Sequence, residues 1–189
     1  MIKQFWQKEN KMKKVMITIF ILVLVCLLVS CDLLTNLLNP DDNSLTNVAL
    51  SAKGATASAI SEGTYLGITH HASNAIDGDS VSAWASDWDM PAWLQVEFNA
   101  TYTIKKVGVW WASHRHDYLI KLSTNGINWT TVKSGTSNNT EGASPVHEEF
   151  SIAPQSAKYI KIEITTTTAP SSHIFQAMIS EIEAYTSDI

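Results

Sequence analysis

Cysteine is almost missing from this 189-residue chain: only Cys26 and Cys31 occur, the first inside an apolar run and the second at its end. Everything beyond Cys31 therefore has no thiol with which to build a disulfide, and its stability must come from a core or a bound metal. Positive charge is scarce as well. Five of the 13 basic residues and one of the 18 acidic ones fall in residues 1–30, which leaves eight against 17 and a formal charge of −9 from residue 31 onward. A segment this acidic repels phosphate backbones and anionic headgroups, so nucleic acid and phospholipid surfaces are poor partners, whereas neutral ligands and cations suit it. G-x-S-x-G, H-E-x-x-H and a phosphate loop are absent, and with them the commonest nucleophile, zinc-protease and nucleotide signatures. There is no internal repeat and no convincing amphipathic helix.

What is present begins with a leader. Lys3, Lys8, Lys11, Lys13 and Lys14 precede the apolar run "VMITIFILVLVCLLVS", Val15 to Ser30, in the order of a secretory signal: a basic region, an apolar core and small residues at the end. The run closes on Leu28-Val29-Ser30-Cys31, which resembles the bacterial lipobox. That resemblance implies cleavage before Cys31 after a diacylglyceryl group is attached to its sulfur, and hence a lipoprotein held to a membrane of the bacterial cell envelope, outside the cytoplasm. Acylation of the new amine would supply the several chains that stable anchoring requires. An uncleaved transmembrane helix is the alternative, although the run is shorter than the ~18 or more residues expected of a span. Residues 31–46, "CDLLTNLLNPDDNSLT", read as the lipidated cysteine and a tether, because Pro40 and the Asp-Asp-Asn after it break any helix begun by the paired leucines. The remainder is long enough for one domain, 47–187.

From Asn47 onward the hydrophobic period is two. In "YIKIEI" Ile160, Ile162 and Ile164 alternate with Lys161 and Glu163, and in "WLQVEF" Leu94, Val96 and Phe98 alternate with Gln95 and Glu97; each is a strand with one buried face. "YLIKLSTNGINWTTV" reads as two strands joined at Asn125-Gly126, a strong short hairpin signal. Further strands are expected near 47–53, 58–62, 103–111, 146–152 and 173–186. About eight short strands with Thr, Ser, Asn and Gly between them predict an all-β fold, an antiparallel sandwich.

One loop stands out. "SNAIDGDSVSAW" places Asn74, Asp77 and Asp79 around Gly78, too polar and too tightly turned for a strand interior and rich in the oxygens that hard cations take. The metal-free alternative has both aspartates accepting backbone N–H bonds in Asx-turns.

Taken in order, "NVALSAKGATAS", "SNAIDGDSVSAWAS", "PAWLQVEF", "DYLIKLSTNGINW", "AKYIKIEIT" and "ISEIEAY" resemble the coagulation factor 5/8 type C (discoidin) domain over residues 47 to 187. This is the galactose-binding-like jelly-roll superfamily that includes family-32 carbohydrate-binding modules and fucose-binding lectins. The resemblance implies a structural calcium held by Asn74, Asp77, Asp79, Ser82 and Glu181, with the carbonyl of Ser180, some of them through backbone oxygens alone. It also makes Trp84, Trp93 and Trp129 core positions.

Ligand residues are expected on the loops at one end of the sandwich. In "VGVWWASHRHDY" neighbouring strand residues face opposite sides, so if Val107, Val109 and Trp111 are buried, Trp110 is exposed. An exposed indole suits the apolar face of a pyranose, with His114, Arg115 and His116 as polar partners; basic residues in this loop are what the carbohydrate-binding relatives tend to use. Of the fucose lectins' pattern, Arg115-His116-Asp117 fits the first half, while Lys121 falls one place early. Trp88 is either a lid on the core or a ligand contact. His71, beside His70, joins the candidate site, while His147 and His173 are expected at the surface.

Two catalytic readings fare worse. Asp87, Asp89 and Asp117 could supply the opposed carboxylates of a glycoside hydrolase, but a sandwich of this size with one shallow loop end seldom builds the cleft. His114 and His116 with His70 or His71 lack a suitably spaced third zinc ligand. The expectation is a non-catalytic, membrane-anchored carbohydrate-binding lipoprotein whose partner is a glycan or polysaccharide. Its rival is a discoidin-type module that binds a protein and has no sugar pocket.

Overall fold

A computed structural model of the chain describes residues 45–65, 67–88, 90–112, 115–139, 145–168 and 176–187. The expected leader (1–30), Cys31 and nearly all of its tether, as well as Asp89, His114 and His173, lie outside the described residues. Leu45–Ile189 forms one unit.

The two sequences with the clearest alternation become the spine of that unit. β6 (Ala92–Trp111) and β9 (Val146–Thr168) pair antiparallel from Ala92↔Ile164 to Trp111↔Val146, with breaks in register between Glu97 and Tyr102 and between Ile104 and Lys106. Bulges of this kind bend a strand, and here they let each strand serve two layers. In the first layer, β2 (Thr56–Ala59), the first half of β6, the second half of β9, β7 (Arg115–Ser123) and β8 (Thr130–Thr136) lie side by side. In the second, β10 (Met178–Thr186) lies between the later half of β6 and two short strands, β1 (Thr46–Asn47) and β5 (Trp84–Ala85). A separate hairpin, β3 (Thr64–Tyr65) with β4 (Ile68–Thr69), completes the described strands.

The layers meet over one core. Leu94, Val96 and Phe98 from the first half of β6 and Val107, Val109 and Trp111 from the second are all buried, together with Ile120, Leu122, Ile160, Ile162, Ile164, Ile179 and Ile182. Full burial of each such side chain stabilises by about 1.5–3 kcal/mol. The polar partners in each alternation, Gln95, Glu97, Lys161 and Glu163, stay on the outer face. The result is the antiparallel, all-β jelly-roll sandwich that the alternation predicts.

Several local expectations need correction. The strand expected at 47–53 is only Thr46–Asn47. A 3-10 turn follows at Ser51–Lys53 and ends on Gly54 with φ 84°, a left-handed conformation that halts extended chain. The candidates at 58–62 and 173–186 shift to Thr56–Ala59 and Met178–Thr186, and those at 103–111 and 146–152 are parts of the long bent strands. No two-residue turn joins β7 to β8. Ser123 Oγ instead accepts the Asn125 and Gly126 N–H groups (3.2 and 2.9 Å) and Asn125 Oδ1 accepts those of Ile127 and Asn128 (3.0 and 2.9 Å), a longer loop wound on two side chains. Trp93 and Trp129 are not core. Trp93 alternates with buried Ala92 and Leu94 and so faces outward, and Lys161 Nζ lies 5.2 Å from its ring and 4.1 Å from that of Trp129. Trp84 is buried as expected, with its Nε1–H donated to the Ser61 carbonyl at 2.9 Å.

The ends of the sandwich differ in what they carry. Ala85, Trp111 and Met178 meet at one end, and Arg115, which opens β7, pairs with Thr168 at the end of β9. Chain enters the domain at the other, where Thr46 pairs with Thr186.

Gly63 ties the β3–β4 hairpin to the first of these ends. Its N–H donates to Ala85 O at 2.7 Å, and a Cβ at Gly63 would stand 2.2 Å from the Ser86 carbonyl oxygen. Backbone cannot give way as a flexible side chain would, so Gly63→Ala should destabilise the fold by about 1–3 kcal/mol through overpacking. Urea melts of the two proteins check this; an unchanged midpoint would mean that the hairpin is free to move off β5.

Candidate functional site

The expected metal loop folds as five residues of 3-10 turn, Ala72–Ile76, with Ala72, Ala75 and Ile76 buried beneath it. That anchor directs the following residues back on themselves, with Gly78 at φ 86°. Asp77 Oδ1 accepts the Asp79 N–H (2.8 Å) and Asp79 Oδ1 accepts the Val81 N–H (2.9 Å), so both Asx-turns exist. They use one oxygen of each carboxylate and leave others gathered: Ser82 Oγ lies 2.7 Å from Asp77 Oδ2 and 3.2 Å from the carbonyls of both Asn74 and Asp79. From the distant strand β10, Glu181 Oε1 accepts the Gly78 N–H at 2.6 Å. The Asn74 side chain turns away to donate to Ala83 O at 3.0 Å, so Asn74 contributes its carbonyl.

This arrangement sets the exposed carboxylates of Asp77 and Asp79 beside a carboxyl that is taken out of water. Glu181 is buried, and its Oε2 has no hydrogen-bond partner among the described residues, nor has the buried Ser180 Oγ. Burial and the facing Asp77 carboxylate push the Glu181 carboxyl up to about 8, although the Gly78 N–H bond works the other way. Two facing acids without a counter-charge are costly, and a hard divalent cation, which takes several oxygens at flexible geometry, fits the donor set.

The expected sugar residues are not all brought together. Arg115 opens β7 and is exposed. His116, the next residue, is fully buried: its Nδ1 lies 3.0 Å from Thr167 Oγ1, its backbone N–H donates to Ser137 Oγ at 2.9 Å, and its ring packs 5.7 Å from Trp111. The reason is phase. β7 begins one residue before it, so alternation sends His116 inward while Arg115 and Asp117 point out. Asp117, the other half of the lectin-like pattern, accepts from Thr136 (2.5 Å) and Thr166 (2.6 Å); those two hydroxyls, with Arg115 nearby, hold its carboxyl below the usual range. Trp110 does lie outside the core, but on the sheet's outer face rather than among the loops. Its ring stacks on His147 (4.3 Å between centroids, 8° between planes) and its Nε1–H donates to Glu183 Oε1 at 3.2 Å. It borders a cleft of ≈ 280 Å³ with Asn47, Leu50, Gly78, Ser80, Glu181 and Glu183.

Trp88 is the aromatic that the loop end presents, 53% exposed. Its loop is pinned on both sides: Ser86 N–H donates to Ala177 O at 2.9 Å, and Met90 Sδ contacts Thr167 Oγ1 at 4.0 Å, beside the Thr168 that pairs with Arg115. His71 is exposed and its Nδ1 bonds Glu62 Oε2 at 2.7 Å. Glu62 had no signal in the sequence. Its second oxygen accepts the Ala72 N–H at 2.8 Å, and that bond and His71 hold its carboxyl below the usual range; it fastens the 3-10 turn before Asp77 to the β3–β4 region.

Residues 54–179 match the F5/8 type C domain family, and the chain belongs to it. Among solved structures, a Clostridium perfringens family 32 carbohydrate-binding module from NanJ, in complex with galactose, is 24% identical with TM-score 0.60; the match covers 75% of this chain and 98% of that one. Another module from C. perfringens, in complex with GalNAc-β-1,3-galactose, is 17% identical with TM-score 0.60, covering 74% of this chain and 99% of that one. Chitosan-binding module 1 of a chitosanase/glucanase from Paenibacillus sp. IK-5 is 28% identical with TM-score 0.59, covering 74% and 98%. No curated protein matches the chain. The fold is thus that of carbohydrate-binding modules, a non-catalytic domain type that in some relatives is attached to a catalytic domain.

One consequence can be read without metal. In protein stripped with chelator at neutral pH, Glu181→Gln replaces a carboxyl that burial keeps largely protonated with a neutral amide and should leave the thermal midpoint unchanged or raise it. A drop of more than about 1 kcal/mol, the scale of one lost hydrogen bond, would show that the carboxylate is satisfied by protein alone.

Proposed function

We propose that this protein is a membrane-anchored, non-catalytic carbohydrate-binding lipoprotein that captures or adheres to glycans at the bacterial cell envelope. The observation that carries the glycan reading is the loop end of the sandwich, where an exposed Trp88 sits two residues before Met90, which touches Thr167, the neighbour of Arg115's strand partner Thr168. An indole face for the apolar side of a sugar ring and a guanidinium for its hydroxyls are the elements such a site needs. The relatives bound to galactose and to GalNAc-β-1,3-galactose, and the chitosan-binding module, support a neutral or amino sugar as ligand. Anchoring rests on the lipobox-like Leu28-Val29-Ser30-Cys31.

In this reading calcium is structural. Asp77, Ser82 and Glu181, with the carbonyls of Asn74 and Asp79 and the neighbouring Ser180, would hold the ion, which supplies the positive charge that the facing acids lack. Its role is to lock the loop onto β10. A protein-binding module without a sugar pocket is the second reading, favoured by the exposure of Ile60 and Ile68 as well as Trp88, since apolar patches on loops mark protein partners.

Two measurements test this. A glycan array probed with the Leu45–Ile189 unit, which has its own core and whose relatives are solved as isolated modules, should give binding that falls about tenfold or more, ~1.4 kcal/mol, in both Trp88→Ala and Arg115→Ala. Silence across the array from a folded protein would move the function to protein recognition. Separately, calcium at 100 times its Kd should stabilise by about 2.7 kcal/mol, roughly 5–10 °C in thermal midpoint, and Asp77→Asn or Glu181→Gln should abolish the increment. A midpoint indifferent to calcium would remove the ion from the account.

A further inference from the structure

Across the outer face of the second layer, three strands bring their side chains into rows. β9, β6 and β10 set His147, Trp110 and Glu181 in one row, Glu149, Gly108 and Glu183 in the next, and Ser151, Lys106 and Tyr185 in a third. The middle row has no side chain at its centre. Into the space above Gly108 lean His147 and Glu183: a Cβ there would stand 2.2 Å from Glu183 Oε2 and 3.2 Å from His147 Nε2. Glycine inside a strand weakens it and often marks a close approach, and here the approach is by an imidazole and a carboxylate.

The orientation of each group is controlled by a neighbour. Glu183 gives Oε1 to the Trp110 indole N–H (3.2 Å) and turns Oε2 to His147 Nε2 (2.7 Å). Glu149 accepts from Lys106 Nζ at Oε2 (3.2 Å) and presents Oε1 3.9 Å from His147 Nε2. The His147 ring is held flat by the Trp110 indole stacked on it at 4.3 Å. One nitrogen and one oxygen from each acid therefore converge, all within 4.8 Å of one another. Tetrahedral zinc with donors at 2.0–2.2 Å needs them about 3.3–3.5 Å apart, so opening the 2.7 Å pair and drawing in the 3.9 Å one by less than about 1 Å each sets two of the three donor distances, and the two acid oxygens, already within 4.8 Å, set the third by a further approach of at most about 1.5 Å. Outer donors that fix the spare oxygen of each acid are the arrangement that tunes metal ligands. The mixed nitrogen and oxygen set also differs from the all-oxygen loop around Asp77, since imidazole favours transition ions over calcium.

We propose that His147, Glu149 and Glu183 form a second metal site, selective for a divalent transition ion such as zinc and separate from the calcium loop. Three protein ligands leave the fourth position to water or to an oxygen of a bound partner. The site does not depend on the glycan reading.

The test uses the full chain in non-ionic detergent, stripped with chelator and returned to excess calcium so that the oxygen loop is satisfied. Isothermal titration with zinc chloride should show one equivalent bound, and His147→Gln and Glu149→Gln should each weaken it at least tenfold. Cobalt(II) should give visible absorption bands in the wild type that both variants lose. Circular dichroism confirms the fold, and Glu149, exposed at the surface, serves as the variant that leaves packing untouched. No zinc uptake, or uptake equal in wild type and both variants, would overturn the proposal and leave the cluster an ion-pair network.

Discussion

Everything in this domain hangs on one pairing, that of β6 with β9. Because both strands bend where their register breaks, a single antiparallel ladder supplies the centre of both layers, and the core is closed by chain already hydrogen-bonded to itself. The other strands add to its flanks: β7 and β8 to one half of the pair, and β10 with its short neighbours to the other half of β6. The cost of such an arrangement is long-range contact, since its ladder joins residues as far apart as 92 and 164, and sandwiches rich in such contacts fold slowly.

The same bend decides where chemistry can sit. It brings Trp111, Arg115, Thr168 and Met178 to one end, so loops far apart in sequence become one surface. It also exposes the outer face of the β10 layer, where Trp110, Gly108 and Lys106 fall in line. The acidic loop around Asp77 belongs to neither strand. Buried alanines and Ile76 pin it to the core, and Glu181 reaches it from β10. A charged side chain is thereby drawn into a place that only a cation, or protonation, makes comfortable.

How much of this was legible in the sequence follows from what each signal depends on. Alternation in "YIKIEI" and "WLQVEF" is local, and it found the core faces of β6 and β9 to the residue. It also put Trp111 inside and Trp110 outside. Phase errors did the damage elsewhere. His116 looked like a loop residue because its strand was expected to begin later, and a shift of one position turned a ligand candidate into core. Trp93 was assigned to the core by resemblance, although the alternation around Leu94 already placed it outward. The company of Trp110 could not be read at all, since His147 and Glu183 arrive from two other strands. Asp77 and Asp79 drew attention as a loop rich in oxygen, yet their link to Glu181 crosses the length of the domain and came only from the family pattern.

The entry of the chain has a mechanical meaning. β1 joins β10 at Thr46↔Thr186, the end away from the loops that carry Trp88 and Arg115. A pull between those loops and Thr46 therefore runs along the strands. The bonds that join β1 to β10, with the Val48 N–H to Ala184 O bond at 2.8 Å and the Asn47 Oδ1 that accepts from Ala184 N–H at 3.0 Å, are loaded side by side in shear instead of being unzipped one after another. Such a domain can bear tension across its whole height while its loop end stays undistorted.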